Sequence, residues 1–483
     1  MTKRTSIGKT KTNNNGNKII TTLLRRQGGS GLGKTFPEFS AGETQQIDYQ
    51  TRFKINAEAR RRVPQEFFRD RSPPAFTKTF LYTLLCLICF CFLFNACSRS
   101  SDWVQFRGEG GRGVSSSRIT PPLGLKWKIN LQPDSEKIRS LNPPVVIGDT
   151  IYFGSDDGNF YALDVESGFM RWVFKSGAEI NSIPYADDEQ VYFGSKDGKL
   201  YALSRETGQE IWSFRTRSQI NSQVTRYGDY IIFVGDADAV YFLSPEGDEQ
   251  FRLDNPGWYN YTFLMADDVM YMGTGPRTEL IGPYDINKRE FLWFLGFQEI
   301  EAVWYSFSAV HGDLLFMGTA DVLFYGLNLG YHAYNRHTGE LVWREYRESV
   351  LNFDDPEIVW NYFMRNLHIL DFMAPTVWKD LVIFTGGDNC ARGFDAKTGE
   401  LRWEMEFGSP VSSAPTIASN RVYFGLMGDD DTPPSLVCIS ARNGRLQWQM
   451  ETEGSILSAP VIAGKRVIFG TDKSVFYVLE EVF

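Results

Sequence analysis

One short pattern recurs eight times between residues 120 and 483, and it constrains the fold more than any other feature of the chain. An apolar run ending in an aromatic-x-Gly landmark is followed by a polar turn, a second apolar run, a small turn and a Trp. The landmarks are Tyr152-Phe153-Gly154, Tyr192-Phe193-Gly194, Ile232-Phe233-Val234-Gly235, Tyr271-Met272-Gly273, Phe316-Met317-Gly318, Ile383-Phe384-Thr385-Gly386, Tyr423-Phe424-Gly425 and Ile468-Phe469-Gly470. Their Phe/Met positions are spaced by 40, 40, 39, 45, 67, 40 and 45 residues. A period near 40 built from short β-branched and aromatic runs, with Asp-Gly and Thr-Gly turns and no helical period, predicts a β-propeller.

A second landmark follows the first by 18 to 26 residues in seven repeats: Trp172, Trp212, Phe251, Trp293, Trp343, Trp403 and Trp448. The eighth repeat reaches Phe483 without one, and the missing copy stands at the other end, in Leu125-Lys126-Trp127-Lys128. The N-terminal strand is therefore expected to complete the last blade, giving an all-β ring of eight four-stranded blades with no open sheet edge across the closure. Trp127, Trp172, Trp212, Trp293, Trp343, Trp403 and Trp448 are read as blade-docking residues, large indoles packed between sheets. Within blade six the strands are expected near 374–377, 381–385, 392–395 and 401–405.

The run from Ala162 to Trp172, Ala-Leu-Asp-x-x-x-Gly-x-x-x-Trp, resembles the repeat of the quinoprotein-type, PQQ-like β-propellers. The lead-in Trp103-Val104-Gln105-Phe106-Arg107-Gly108 is similar to theirs as well. That family holds quinone-dependent alcohol dehydrogenases and also non-enzymatic scaffolds, among them the BamB-like lipoprotein branch that serves outer-membrane barrel assembly. The resemblance covers about four-fifths of the chain; it implies the fold and leaves the activity open.

Upstream of the ring, residues 80–94 form an uncharged apolar run of 15 residues, short for a membrane span and suited to a signal-peptide core. Asn95-Ala96-Cys97 follows, a small residue before a Cys as in the bacterial lipobox, although Phe94 takes the usual Leu position. Cys97 is the expected lipidation site, with residues 80–97 as signal segment and 98–119 as linker and lead-in. A short uncleaved anchor is the competing reading, and either one takes the propeller out of the cytosol. Residues 1–79 carry 16 Lys/Arg and 6 Asp/Glu with little periodicity. They are expected to be disordered, or to precede a true start at a non-Met codon such as Val63. Gly28 to Thr35 matches a P-loop, but Phe36-Pro37-Glu38 follows it where a helix must cradle phosphate, so a nucleotide site is not expected.

From Cys97 onward the chain holds 34 Lys/Arg and 53 Asp/Glu, a net charge of −19 that disfavours nucleic acid and bare anionic lipid. Three of its six Cys lie in the apolar run and Cys97 follows, which leaves Cys390 and Cys438 near third strands of neighbouring blades, where a disulfide is open but not implied.

A catalytic centre would lie on the innermost strands. Counting back eleven and twelve residues from each landmark gives two candidate rings, Asn142, Ser182, Ser222, Tyr261, Ser306, Met373, Ser413 and Ser458, and their immediate predecessors. Neither ring holds a charge, whereas a tricarboxylate quinone needs cations and its calcium needs acidic or amide oxygens. The dehydrogenases of the resembled family also use a catalytic Asp and often a vicinal Cys pair, and no Cys-Cys pair exists here. The four His, His311, His332, His337 and His368, fall in no metal or nucleophile motif, and His337 is expected in an exposed turn. No catalytic, cofactor or metal residue is assigned; PQQ and calcium enter only if the dehydrogenase alternative holds.

The irregular repeats point to a binding face. Relative to blade one, blades five and seven gain 7 and 5 residues before their third strands, and 20 more follow the outer strand of blade five. Topology puts all of these at one end of the ring, where long loops on a rigid repeat form a surface for a partner. The insertion of 20 residues is expected to be a helix capped by Asp354 or Asp355 that packs its apolar stripe on the ring or offers Trp360 and Phe363 outward. Asp429, Asp430 and Asp431 share the face, as a solvated turn rather than a calcium loop. Trp258, Tyr259, Tyr261, Trp304 and Tyr305 fall on inner strands, mostly as core. The resulting expectation is an exported, lipid-anchored propeller of the cell envelope, facing the periplasm or the cell surface. It would bind a protein partner such as the outer-membrane barrel-assembly complex and no nucleic acid, with a quinone dehydrogenase or a glycan- or peptide-binding module as alternatives.

Overall fold

The computed structural model describes residues 102–482 except 132–141, 237–238, 255–258, 275–281, 297–303, 306, 324–325, 350–372 and 430. Eight antiparallel sheets follow one another along the chain, one per repeat. In blade one the strands are Val145–Ile147, Thr150–Gly154, Asn159–Asp164 and Met170–Lys175. Burial falls from the axis outward: the two inner strands are wholly buried and the outer strand alternates exposed and half-buried residues. That gradient is why the inner runs read as continuous apolar stretches and the outer ones as alternating.

The ring closes as the Trp pattern requires. Leu123–Asn130 pairs antiparallel with Val475–Glu481 as the outer strand of blade eight, Leu123 opposite Glu481 and Asn130 opposite Val475. Blade six has strands at Thr376–Trp378, Leu381–Thr385, Cys390–Asp395 and Leu401–Glu406, close to the expected positions. The extra residues of blade five lengthen its central hairpin, Leu314–Leu323 against Gly326–Asn335.

The landmark Gly has a packing cause. A Cβ on Gly154 would stand 2.2 Å from Ile180, on Gly194 2.1 Å from Ile220, and on Gly425 2.5 Å from Ile456. Each Gly is the slot into which the next blade inserts an Ile from the segment leading to its inner strand. The blades meet again at the Trp positions. Trp127, Trp172, Trp212, Trp293, Trp343 and Trp403 donate their indole N–H to the backbone carbonyls of Val165, Arg205, Pro245, Arg336, Ala396 and Ala441 in the following blade, at 2.9 to 3.1 Å. Each ring lies flat on a turn Gly of that blade (Gly168, Gly208, Gly247, Gly339, Gly399, Gly444), where a Cβ would come within 3 Å of it. Trp448 packs, half-buried, into the core between blades seven and eight. It faces the blade whose outer strand comes from the N-terminus, so no third-to-outer turn exists there to receive it.

Candidate functional site

Four antiparallel strands per blade give the ring two faces. The lower face holds the turns between inner and second strands and between third and outer strands. The upper face holds the second-to-third turns and the connections between blades.

The lower end of the channel is closed by the lead-in, which visits the blades in order. Trp103 exchanges backbone hydrogen bonds with Val146 of blade one at 2.7 and 2.8 Å, and the Val104 carbonyl accepts from Ala186 of blade two at 3.0 Å. Gln105 accepts a hydrogen bond from Thr225 of blade three. Gly111 lies against Leu264 of blade four, and Phe106 meets Phe307 of blade five edge-on, ring centres 5.6 Å apart. The Arg107 guanidinium, 1% exposed, donates to the Pro375 carbonyl of blade six at 2.6 Å. Val114–Ser115 then pairs parallel with Ile417–Ala418 of blade seven, and the Ser115 hydroxyl donates to Ile462 of blade eight at 2.8 Å. Phe106 ends as the hub of an apolar cluster with Ile183, Leu264, Phe307, Ala374, Ala414 and Ala459, drawn from blades two and four to eight.

This corrects the expected channel register. Ser182, Ser222 and Ser413 do not line the channel with free hydroxyls: they are at most 2% exposed, and each hydroxyl accepts the backbone N–H of its own second strand, at Gly194, Val234 and Gly425, at 2.7 to 2.9 Å. Met373 is buried against Gly318 and Gly387. The residues gathered about Phe106 lie one position later, at Ile183, Phe307, Ala374, Ala414 and Ala459, and they are apolar. One position before the Ser ring, Ser412 spends its hydroxyl on the Ile456 carbonyl at 2.7 Å, and Asn221 donates to Asp236 at 2.5 Å. Asp236, held above the usual carboxylate range chiefly by burial, sits with Asn221 at the upper mouth. Nearby, Lys196 pairs with Glu179.

The other chemistry-bearing groups are built into blade joints. Asp157 and Asp197 of the second-to-third turns accept the hydroxyls of Tyr161 and Tyr201 four residues on, at 2.6 and 2.5 Å. Blade six keeps the Asp and replaces the Tyr: Arg392, 1% exposed, holds Asp388 through two hydrogen bonds of 2.9 and 2.8 Å, donates to the Tyr331 hydroxyl of blade five at 2.9 Å, and reaches Glu404 at 2.6 Å. His332 is fully buried beside Thr319 at 2.9 Å, and burial brings its pKa down to about 3. His337 stands exposed in its turn, 3.3 Å from Asp313. Cys390 and Cys438 are buried free thiols, each pushed up to about 12, chiefly by burial. Among the described residues no group of three or more His, Cys, Asp or Glu is placed to hold a metal, and no helix is long and apolar enough to cross a membrane.

Of the expected partner-face residues, Asp429 and Asp431 are exposed on the upper face, where Asp429 accepts the backbone N–H groups of Asp431 and Thr432 within its own turn. Asp430, Trp360, Phe363, Cys97 and the insertion of blade five lie outside the described residues. Residues 259 and 261 fall on an inner strand of blade four, and 304 and 305 on one of blade five.

Eight blades, joined at six places by an indole on a glycine and closed by an N-terminal strand, define a PQQ-like-repeat β-propeller. The chain belongs to the family described as outer membrane protein assembly factor BamB, whose model matches residues 124–250, 196–346, 332–432 and 388–482. Among solved structures, BamB from Moraxella catarrhalis is 16% identical with a TM-score of 0.53, over 74% of this chain and 98% of that one. Quinohemoprotein alcohol dehydrogenase ADHIIG from Pseudomonas putida HK5 is 14% identical with a TM-score of 0.58, over 80% of this chain and 81% of that one. The computationally designed Ika8 protein is 14% identical with a TM-score of 0.53, over 71% and 97%. At such identities the likeness is one of fold. No curated protein sequence matches the chain.

Proposed function

We propose that this propeller is a binding scaffold of the cell envelope, exported and held by a lipid at Cys97, that docks a protein partner on its upper face in the manner of outer-membrane barrel assembly. The observation that carries the reading is the use made of the inner strands. The hydroxyls of Ser182, Ser222 and Ser413 are spent on neighbouring backbone, Ile183, Phe307, Ala374, Ala414 and Ala459 at the next position gather about Phe106 while Gln223 there bonds the Phe263 backbone, and Arg107 is buried in the lead-in. The upper face keeps the long turns of blade seven and the extended hairpin of blade five. A rigid ring with one end sealed and length variation at the other suits recognition.

The quinone-dehydrogenase reading draws support from one place, the Asn221–Asp236 pair at the upper mouth. Titration with PQQ and calcium separates the two. The scaffold reading expects neither saturable binding nor dye reduction with an alcohol; tight binding with dye turnover moves the chain to the enzymes. Fractionation tests the anchor: the Cys97→Ser variant is expected to leave the membrane fraction, and its retention there removes lipidation from the account.

A further inference from the structure

The lower face is electrically divided. Every one of its turns lies among the described residues, so its charges can be followed around the ring. Many opposite charges are matched within the chain: Arg171 with Asp149 and Asp164, Arg226 with Asp187, Arg336 with Asp267, Arg402 with Asp395. What those pairs leave over is unevenly distributed. Blades two and three expose Asp188, Glu189, Glu206, Asp229, Glu246 and Asp248 in these turns. Across the ring, blades six and seven expose Lys379, Lys397, Arg442 and Arg445, with Arg118 of the lead-in beside them, against the carboxylates Asp380 and Glu400, of which Glu400 is paired with Arg402. Among the described residues no ion pair ties Glu206, Glu246, Lys397, Arg442 or Arg445. In a chain region of net charge −19, surplus acid is unremarkable, but a sector of surplus cations is not.

We propose that the lower face docks a second copy of this chain. A two-fold axis lying in the plane of the face carries the acidic sector of one copy onto the basic sector of the other and the reverse, so both sectors are matched at once, as an isologous contact requires. A polyanionic surface uses only one half. An anionic lipid surface or a nucleic acid would engage the cations and meet six carboxylates on the same face. Pairing this way buries the end of the ring already sealed by the lead-in and leaves both upper faces outward. The proposal does not depend on what the upper face binds.

Sedimentation velocity of the full chain in a mild detergent tests it. A dimer is expected at about 0.02 M salt and a monomer at about 0.5 M, since screening shortens the reach of exposed charges several-fold between these conditions. The pair R442E and R445E, and separately E206K and E246K, should each give a monomer at low salt, with unchanged circular dichroism. Mixing the two variants should restore a dimer of one copy of each, because both sectors are then opposite in sign again. A monomer at both salt concentrations overturns the proposal, as does a dimer that the reversals leave intact or a mixture that stays monomeric.

Discussion

The Arg289 guanidinium lies 4.3 Å from the centre of the Phe251 ring, and the two residues together replace the Trp and Gly that form six of the other joints. Arg289 sits at φ +58° and its N–H reaches the Asp285 carbonyl at 2.8 Å, as Gly168 at φ +73° reaches Asp164 at 2.8 Å. Where the indole shrinks to a phenyl, the space of the missing ring atoms is taken by a side chain that tolerates the strained backbone and stacks on what remains.

The exchange should therefore be coupled. Phe251→Trp alone overfills the joint and is expected to cost about 1–3 kcal/mol. Arg289→Gly alone gives up a stacking contact worth about 0.5–1 kcal/mol and relieves a left-handed backbone, so it should be nearly neutral. The double variant should recover most of the loss, and urea denaturation of all four proteins measures the coupling.

A second joint is ionic. Asp388→Ala leaves Arg392 charged and buried against Tyr331, and is expected to cost about 3–5 kcal/mol. Glu404 is 39% exposed, and its change to Ala should cost less than about 1 kcal/mol. The same denaturation experiment ranks the two.

Acid should destabilise the ring in two stages. His332 is held neutral in the fold, its pKa brought down from 6.5 to about 3 by burial, so the unfolded chain binds the extra proton first and stability falls as pH drops from about 6.5 towards 3. Asp164 and Asp395 are lowered to about 2, first by Arg171 and Arg402 respectively; the stability they add is present above about pH 4 and lost as pH falls through 2. His332→Gln should flatten the first stage and leave the second, with melting temperature against pH as the measurement.

Both described thiols should be inert. Burial and pKa values pushed up to about 12 leave Cys390 and Cys438 almost without thiolate at neutral pH. A colorimetric thiol reagent is expected to find neither in the native protein and both in denaturant.

Much of this architecture was legible because its contacts repeat. Gly154 and Gly194 are glycine for one reason, the entry of Ile180 and Ile220, so the landmark recurs wherever the joint does. Trp127, a strand detached from its blade by the whole ring, was visible for the same cause. What escaped the sequence is what occurs once. Arg107 meets Pro375 across 268 residues, and nothing periodic announces that Trp103 to Ser115 would wind round the lower end of the channel. The inner register slipped by one because Ser182, Ser222 and Ser413 look like channel-lining hydroxyls and are in fact partners of their own second strands. The Phe251–Arg289 substitution is half visible: the missing Trp shows against the repeat, while its compensating Arg lies in the next blade where no repeat marks it.

Phe106 offers the plainest check on the sealed channel. Truncation to Ala removes the hub of a cluster drawn from six blades and is expected to cost about 3–5 kcal/mol, read in the same denaturation series.

The claim that this ring is a scaffold is tested most directly by co-purification. The full chain is extracted from its native envelope in mild detergent, and what travels with it is identified and quantified by mass spectrometry. The account predicts stoichiometric recovery of an outer-membrane barrel protein carrying periplasmic repeats. Recovery of the propeller without a stoichiometric protein partner, at a detergent concentration that keeps other envelope complexes intact, would contradict it.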